Sequence, residues 1–162
     1  MTKTITSGVF AQTKQWFELA IPKPTKDNQR VQVGVHFEEC SEMLDTVTEV
    51  SPDSDGNRLK IECTNAALST LAETLKQNTD FKLQIKDRKE LLDSLCDQIV
   101  TACGVGHMYG FDMIGALNEV NRSNYSKFVD GKPLFNENGK ITKGPDYSKP
   151  DLTPYMGSDP TI

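Results

Sequence analysis

Histidine is nearly absent from this chain: His36 and His107 are the only two. The four cysteines, Cys40, Cys63, Cys96 and Cys103, form no CxxC pair. A zinc cluster of nitrogen and sulfur ligands is therefore not expected. Because Cys40, Cys96 and Cys103 fall on or beside apolar helical stripes, the thiols are expected to be reduced and buried. No apolar run approaches the roughly 20 residues needed to cross a bilayer, so no membrane association is expected. Residues 1–17 carry no apolar signal region, which makes the cytoplasm the expected compartment. Positive charge is also in short supply. Lys and Arg number 18 against 23 Asp and Glu, a net −5, and without a large basic field a nucleic-acid partner is not expected. There is no Walker-type glycine loop, no Ser/His or Cys/His nucleophile arrangement, no internal repeat and no low-complexity tract.

What is present is helical periodicity in a chain of one-domain length, 162 residues. A first helix is expected over 7–19, with Val9, Phe10, Trp16 and Phe17 as its apolar points. Pro22 and Pro24 then end it. A second is expected over 29–49, where Val33, Phe37, Cys40, Leu44 and Val47 make a core stripe. The cluster Ser51 to Asn57 reads as a turn. Arg58 to Cys63 reads as a short strand or irregular, and Asn65 as the cap of a helix to Lys76. A further helix over 87–108 presents Leu92, Leu95, Ile99 and Cys103. Asp112 caps a last one to Tyr125, bearing Met113, Ile114, Leu117 and Val120.

Beyond Phe128 the chain is rich in turn residues. Asp130-Gly131 and Asn136 to Gly139 are turn signals, and Leu134-Phe135 can pair with Lys140-Ile141. The expected fold is all-α: an antiparallel helical bundle with an irregular C-terminal tail. A single domain would span 1–156, and 157–162 would be a flexible end.

Carboxylates recur at helical spacing on two of these elements. Glu38 and Glu39 precede Glu42 by four and three residues, while Glu90, Asp93 and Asp97 stand at i, i+3 and i+7. Each set stacks acids along one helix face, where like charges cost about 0.2–0.5 kcal/mol per pair. Acids at this spacing are common on solvated faces, but two sets on core-bearing helices point to a compensating cation. Oxygen-only donors suit Mg²⁺ or Mn²⁺. A di-iron carboxylate bundle does not fit, since neither histidine follows a Glu at the required spacing.

Glu38-Glu39-x-x-Glu42 followed by Glu90-x-x-Asp93 resembles the EExxE…ExxD signature of the MazG-like all-α nucleoside triphosphate pyrophosphohydrolases. The likeness continues through Gly104, Gly110 and Phe111. It extends to the run Glu119-Val120-Asn121-Arg122-Ser123-Asn124-Tyr125-Ser126-Lys127, which is similar to that of phage and bacterial members. The tail pieces Asp130 to Pro133, Gly139-Lys140, Lys143 to Pro145 and Lys149 to Leu152 also match. The resemblance covers roughly 29–49 and 87–152. It departs from many members in the long stretch between Glu42 and Glu90, where an insertion of about 51–86 is expected to add a helix.

The resemblance implies hydrolysis of a (deoxy)nucleoside triphosphate to the monophosphate and pyrophosphate. Two or three Mg²⁺ or Mn²⁺ ions would be held by Glu39, Glu42, Glu90 and Asp93, with Asp97 beside them. Glu38 or Glu39 would take the proton of the attacking water. Ser123, Asn124 and Lys127 would meet the triphosphate, with Asn121 beside them, and Lys143 and Tyr147 would fold over it. Trp16 and Phe17 are candidates to stack on a base, and Asn28 and Gln32 to read one. A purine substrate such as dGTP, a phage nucleotide-pool role in the host cytoplasm, and a homodimer or homotetramer are further expectations. The alternatives are a dUTP/dCTP or phosphoribosyl-ATP hydrolase of the same superfamily, or a non-catalytic helical interaction protein.

Overall fold

Thr25 ends the Pro-containing connection after the first helix, and its side chain sets where the next begins. Its hydroxyl accepts from the Asn28 amide, and the Asn28 side chain accepts from the Thr25 amide at 3.0 Å. This reciprocal cap satisfies two otherwise orphaned donors. The helix therefore starts at Lys26, earlier than periodicity alone predicts. The computed structural model describes residues 8–50, 55–136 and 141–158. Among them are five α-helices and no extended strand: α1 (Val9–Ala20), α2 (Lys26–Leu44), α3 (Asp55–Gln77), α4 (Arg88–Met108) and α5 (Met113–Tyr125). The all-α class expected from sequence is what the chain adopts. It divides into two compact units: Lys23–Gln84, and Met1–Pro22 together with Ile85–Ile162.

The Lys23–Gln84 unit is an antiparallel pair. Arg30 near the start of α2 meets Leu75 near the end of α3, and Ser41 near the end of α2 meets Asn65. Gly34 lets the backbones approach, since a Cβ there would lie 2.9 Å from the Ala72 carbonyl oxygen. Ala72 and Leu75 are buried against it. The buried Arg30 guanidinium donates to the Leu75 carbonyl, one of the carbonyls a helix C-terminus leaves unpaired.

Three expectations change in this unit. Arg58 to Cys63 is helical and belongs to α3. Its Leu-Lys-Ile-Glu alternation imitates a half-buried strand, yet no breaker interrupts the run to Gln77. Asn65 consequently lies mid-helix rather than at a cap, and its side chain bonds Ser41 and Asp45 across the pair. Finally, α2 stops at Leu44, so Val47 is exposed rather than in the core. The β-branched run Thr46-Val47-Thr48 disfavours continuing the helix, and the Thr46 hydroxyl bonds the Met43 carbonyl. Of the turn expected over Ser51 to Asn57, Asp55 to Asn57 instead open α3, and 51–54 lie outside the described residues.

In the other unit α1 packs on α5 through polar as well as apolar contacts. Trp16 stacks on Phe128 at 5.7 Å between ring centroids, and its indole N–H donates to the Asn124 carbonyl at 2.9 Å. Asn121 accepts from Thr13 at 2.9 Å and donates to the Val9 carbonyl at 3.0 Å. Tyr125 reaches the Gln12 carbonyl at 3.1 Å. At the start of α4 the Asp87 side chain accepts from the Lys89 and Glu90 amides at 2.7 and 3.1 Å. At its end the buried Gly106 seats Met113 of α5, and Gly110 turns the chain with φ of 73°.

The body of α4 departs from expectation. Leu92, Leu95 and Ile99 are 64%, 40% and 45% exposed, so within their own unit this stripe is uncovered. Ile114 of α5 is likewise exposed. The thiols are free, as expected, but not buried: Cys63, Cys96 and Cys103 are exposed and Cys40 is half-buried.

The tail is short turns laid against α5. Asp130-Gly131, at φ of 50° and 71°, forms a tight turn closed by Val129 and Lys132, which bond each other both ways at 2.9 Å. The paired positive φ values are those of the hairpin turn that Asp-Gly favours. Phe135 and Ile141 meet in an isolated bridge, which is the expected pairing reduced to one rung. Residues 137–140, including the rest of that turn signal, and 159–162 lie outside the described residues. A short 3₁₀ helix, Thr153–Tyr155, lies against Gly115 of α5. At Gly157, φ is 63° and a Cβ would collide with the Gly110 carbonyl, so the chain packs at this point.

Candidate functional site

The acids of α2 differ in environment. Glu39 and Glu42 are exposed at i and i+3 on the helix. Glu38 is half-buried, and Lys76 of α3 donates to its Oε1 at 2.6 Å while also reaching Glu73 at 3.1 Å. Burial lowers the Lys76 pKa, but the hydrogen bonds and charges of Glu38 and Glu73 outweigh it and raise the pKa overall. Lys76 has a place at a helix end in the sequence reading but no role. Its position three residues after Glu73 was visible, but its reach to Glu38 belongs to the packing of α2 on α3.

On α4, Glu90, Asp93 and Asp97 are exposed in the first half of the helix. The Asp87 cap fixes its start, and with it the rotation at which these carboxylates emerge. The carboxylates inferred from sequence are thus divided: Glu38, Glu39 and Glu42 on one unit, Glu90, Asp93 and Asp97 on the other. Taken unit by unit, no three His, Cys, Asp or Glu side chains gather around one point among the described residues.

The residues assigned to the substrate separate into two groups. Trp16 and Asn121 are interior, at 8% and 2% exposure. Trp16 has Phe128 against its ring and Lys127 Nζ 6.0 Å from its centroid, so base stacking is replaced by a packing role. Asn121 spends its amide on α1, and Asn28 spends its own on the α2 cap. Ser123 is buried as well. Phe17 is exposed with its edge against Trp16, and Gln32 is exposed.

Asn124, Lys127, Lys143 and Tyr147 form the second group. Lys127 Nζ donates to Asn124 Oδ1 at 2.7 Å. Lys143 Nζ stands 4.8 Å from the Tyr147 ring centroid, within cation–π range. Gly144, next to Lys143, packs on the Lys127 backbone, where a Cβ would lie 3.1 Å from the Lys127 carbonyl oxygen. Within this unit the structure therefore brings the α5 end and the 143–147 turn together.

The sequence reading underused Glu119 and Arg122. Arg122 donates through Nε and a terminal nitrogen to both Glu119 oxygens, at 2.7 and 2.6 Å, and also to the Lys149 carbonyl at 3.2 Å. The Asp151 amide donates to Glu119 at 3.0 Å. The Arg122 hydrogen bond, then the Asp151 amide, pulls the Glu119 carboxyl from an ordinary 4.5 down to about 2. The i, i+3 spacing of Glu119 and Arg122 was the available signal. A shallow recess of about 360 Å³ is lined by Glu73, Thr74, Gln77 and Asn78, none of them a candidate residue. No helix among the described residues is long and apolar enough to cross a membrane. Comparison with family models, curated proteins and solved structures returns no match.

Proposed function

We propose that this chain is a metal-dependent (deoxy)nucleoside triphosphate pyrophosphohydrolase of the MazG-like kind, releasing pyrophosphate and the nucleoside monophosphate. The observation that carries the reading is the ordered set EExxE, ExxD and SNxSK, with Glu39, Glu42, Glu90 and Asp93 all on solvent-accessible helix faces. Their donor chemistry fits a hard divalent cation: only carboxylate oxygen, no nitrogen or sulfur. Glu39, Glu42, Glu90 and Asp93 are the ligands in this reading, with Asp97 next to them. Mg²⁺ or Mn²⁺ held there supplies Lewis acidity toward phosphate oxygens and lowers the pKa of a bound water.

The chain's own residues do the rest. Glu38 or Glu39 takes the proton of the water that attacks the α-phosphorus. Lys127 and Lys143 offer positive charge to the phosphates, and Asn124 offers an amide donor. A purine deoxynucleotide such as dGTP, a role in phage nucleotide-pool control within the host cytoplasm, and a homodimeric or homotetrameric state complete the proposal.

The test is pyrophosphate release by wild type and Glu39→Gln with Mg²⁺, using the four dNTPs, dUTP and phosphoribosyl-ATP. Wild type should turn over at least one of them, and chelation should abolish turnover. Glu39→Gln should lose about 100-fold or more, the scale of one lost electrostatic contact to the reacting group. Preferential turnover of dUTP, dCTP or phosphoribosyl-ATP would assign the chain to another branch of the superfamily. No release from any of them defeats the enzyme reading and leaves the non-catalytic interaction protein.

A further inference from the structure

The tail is laced to α5 at successive helical turns. Glu119, Arg122 and Ser126 stand at i, i+3 and i+7, so they share one face. Glu119 accepts from the Asp151 amide at 3.0 Å, Arg122 donates to the Lys149 carbonyl at 3.2 Å, and Ser126 Oγ accepts from the Ser148 amide at 2.9 Å. The Ser126 hydroxyl itself donates to the Ser123 carbonyl at 2.7 Å, which aims its lone pair outward. All three ties grip backbone atoms, so they fix the path of the chain rather than any one side chain. The chain held in this way leads directly back to Tyr147, Lys143 and Gly144, and Gly144 lies against the Lys127 backbone.

We infer that Glu119 and Arg122 are positioning residues: they clasp Ser148–Asp151 so that Lys143 stands with Lys127 as a paired cation site for the polyphosphate. This rests on the pyrophosphohydrolase reading for the identity of the ligand, but not for the clasp. Glu119 touches no phosphate in this arrangement. It acts through Arg122 and the Asp151 amide, and its carboxylate is already fully engaged by them. Sequence likeness alone places Glu119 in a run of polar residues on α5 and gives it no task.

The experiment uses the full chain as wild type, Glu119→Ala, Ser126→Ala and Lys143→Ala. Amide hydrogen exchange is followed at Ser148 and Asp151, and affinity for inorganic tripolyphosphate is measured by calorimetry. Loss of a hydrogen bond to a charged group predicts that Glu119→Ala speeds exchange at Asp151 by about tenfold or more. Tripolyphosphate binding should weaken about as much as in Lys143→Ala, and KM for a turned-over dNTP should rise with kcat little changed. Ser126→Ala, which removes the tie to Ser148 without touching any charge, should act in the same direction. Unchanged exchange, unchanged tripolyphosphate affinity despite faster exchange, or no binding by wild type each overturns the inference. Tail-dependent tripolyphosphate binding without pyrophosphate release from any nucleotide sinks the hydrolase reading alone. Hydrolysis with an unaltered KM in Glu119→Ala sinks this inference alone.

Discussion

At Gly34 a side chain would meet the Ala72 carbonyl oxygen and Leu75 Cβ, both at 2.9 Å. Gly34→Ala should therefore destabilise the Lys23–Gln84 unit by about 1–3 kcal/mol, the usual penalty for overpacking. Gly104, on α4, meets open space. There Gly104→Ala should stabilise by up to about 1 kcal/mol through helix propensity. Thermal unfolding of the two variants should shift in opposite directions. Glu38 supplies a second test at this scale. Its carboxylate is paired with Lys76 at 2.6 Å. If Glu38 is the general base, Glu38→Gln should lower kcat by about 100-fold or more; a base at Glu39 leaves the kcat of Glu38→Gln within about tenfold of wild type.

Among the elements, α5 has the most varied partners: α1 lies on one side of it and the tail on another. The Glu119 carboxyl that joins helix to tail titrates near pH 2 when folded, against an ordinary 4.5. A depressed carboxyl pKa contributes stability above the unfolded value, and that contribution is lost as pH falls through the folded one. The tail should thus be fully tied above pH 4.5 and released progressively toward pH 2. Amide exchange at Asp151 across that range measures it, and Glu119→Gln should flatten the dependence. The contrast with α4 is instructive. That helix carries the ExxD acids and an apolar stripe, yet Gly106 near its end is its one buried residue. Periodicity marked Leu92, Leu95 and Ile99 as a buried face, because a 3.6-residue repeat records that a face is apolar and not what covers it.

For the molecule as a whole, light scattering tests the proposed assembly. The expected mass is two or four times the 18.0 kDa chain, and a single-chain mass at micromolar concentration overturns that part of the proposal. At this scale the α-helical class was the most legible property. Asp112 acts as the expected N-cap and the proline pair after Ala20 ends α1, as local chemistry requires, while Asp87 and Thr25 prove to be caps that periodicity alone did not mark. Where local rules compete, the reading failed. Asn65 has the chemistry of a cap, but Ser41 on the facing helix and Asp45 just past its end claim its side chain. Trp16 has the surface to stack a base, but Phe128, far along the chain, already occupies its ring.

The sequence by itself determined that the chain is helical, roughly where most of its helices lie and which carboxylates share a helix face, because capping and the 3.6-residue repeat act between neighbours in the chain. Only the tertiary structure decided which of the polar candidates remain accessible. Burial of Asn121 and Trp16, the grip of Lys76 on Glu38, and the clasp of Glu119 and Arg122 on the tail all arise between residues distant in sequence, through short-range forces that no local pattern encodes.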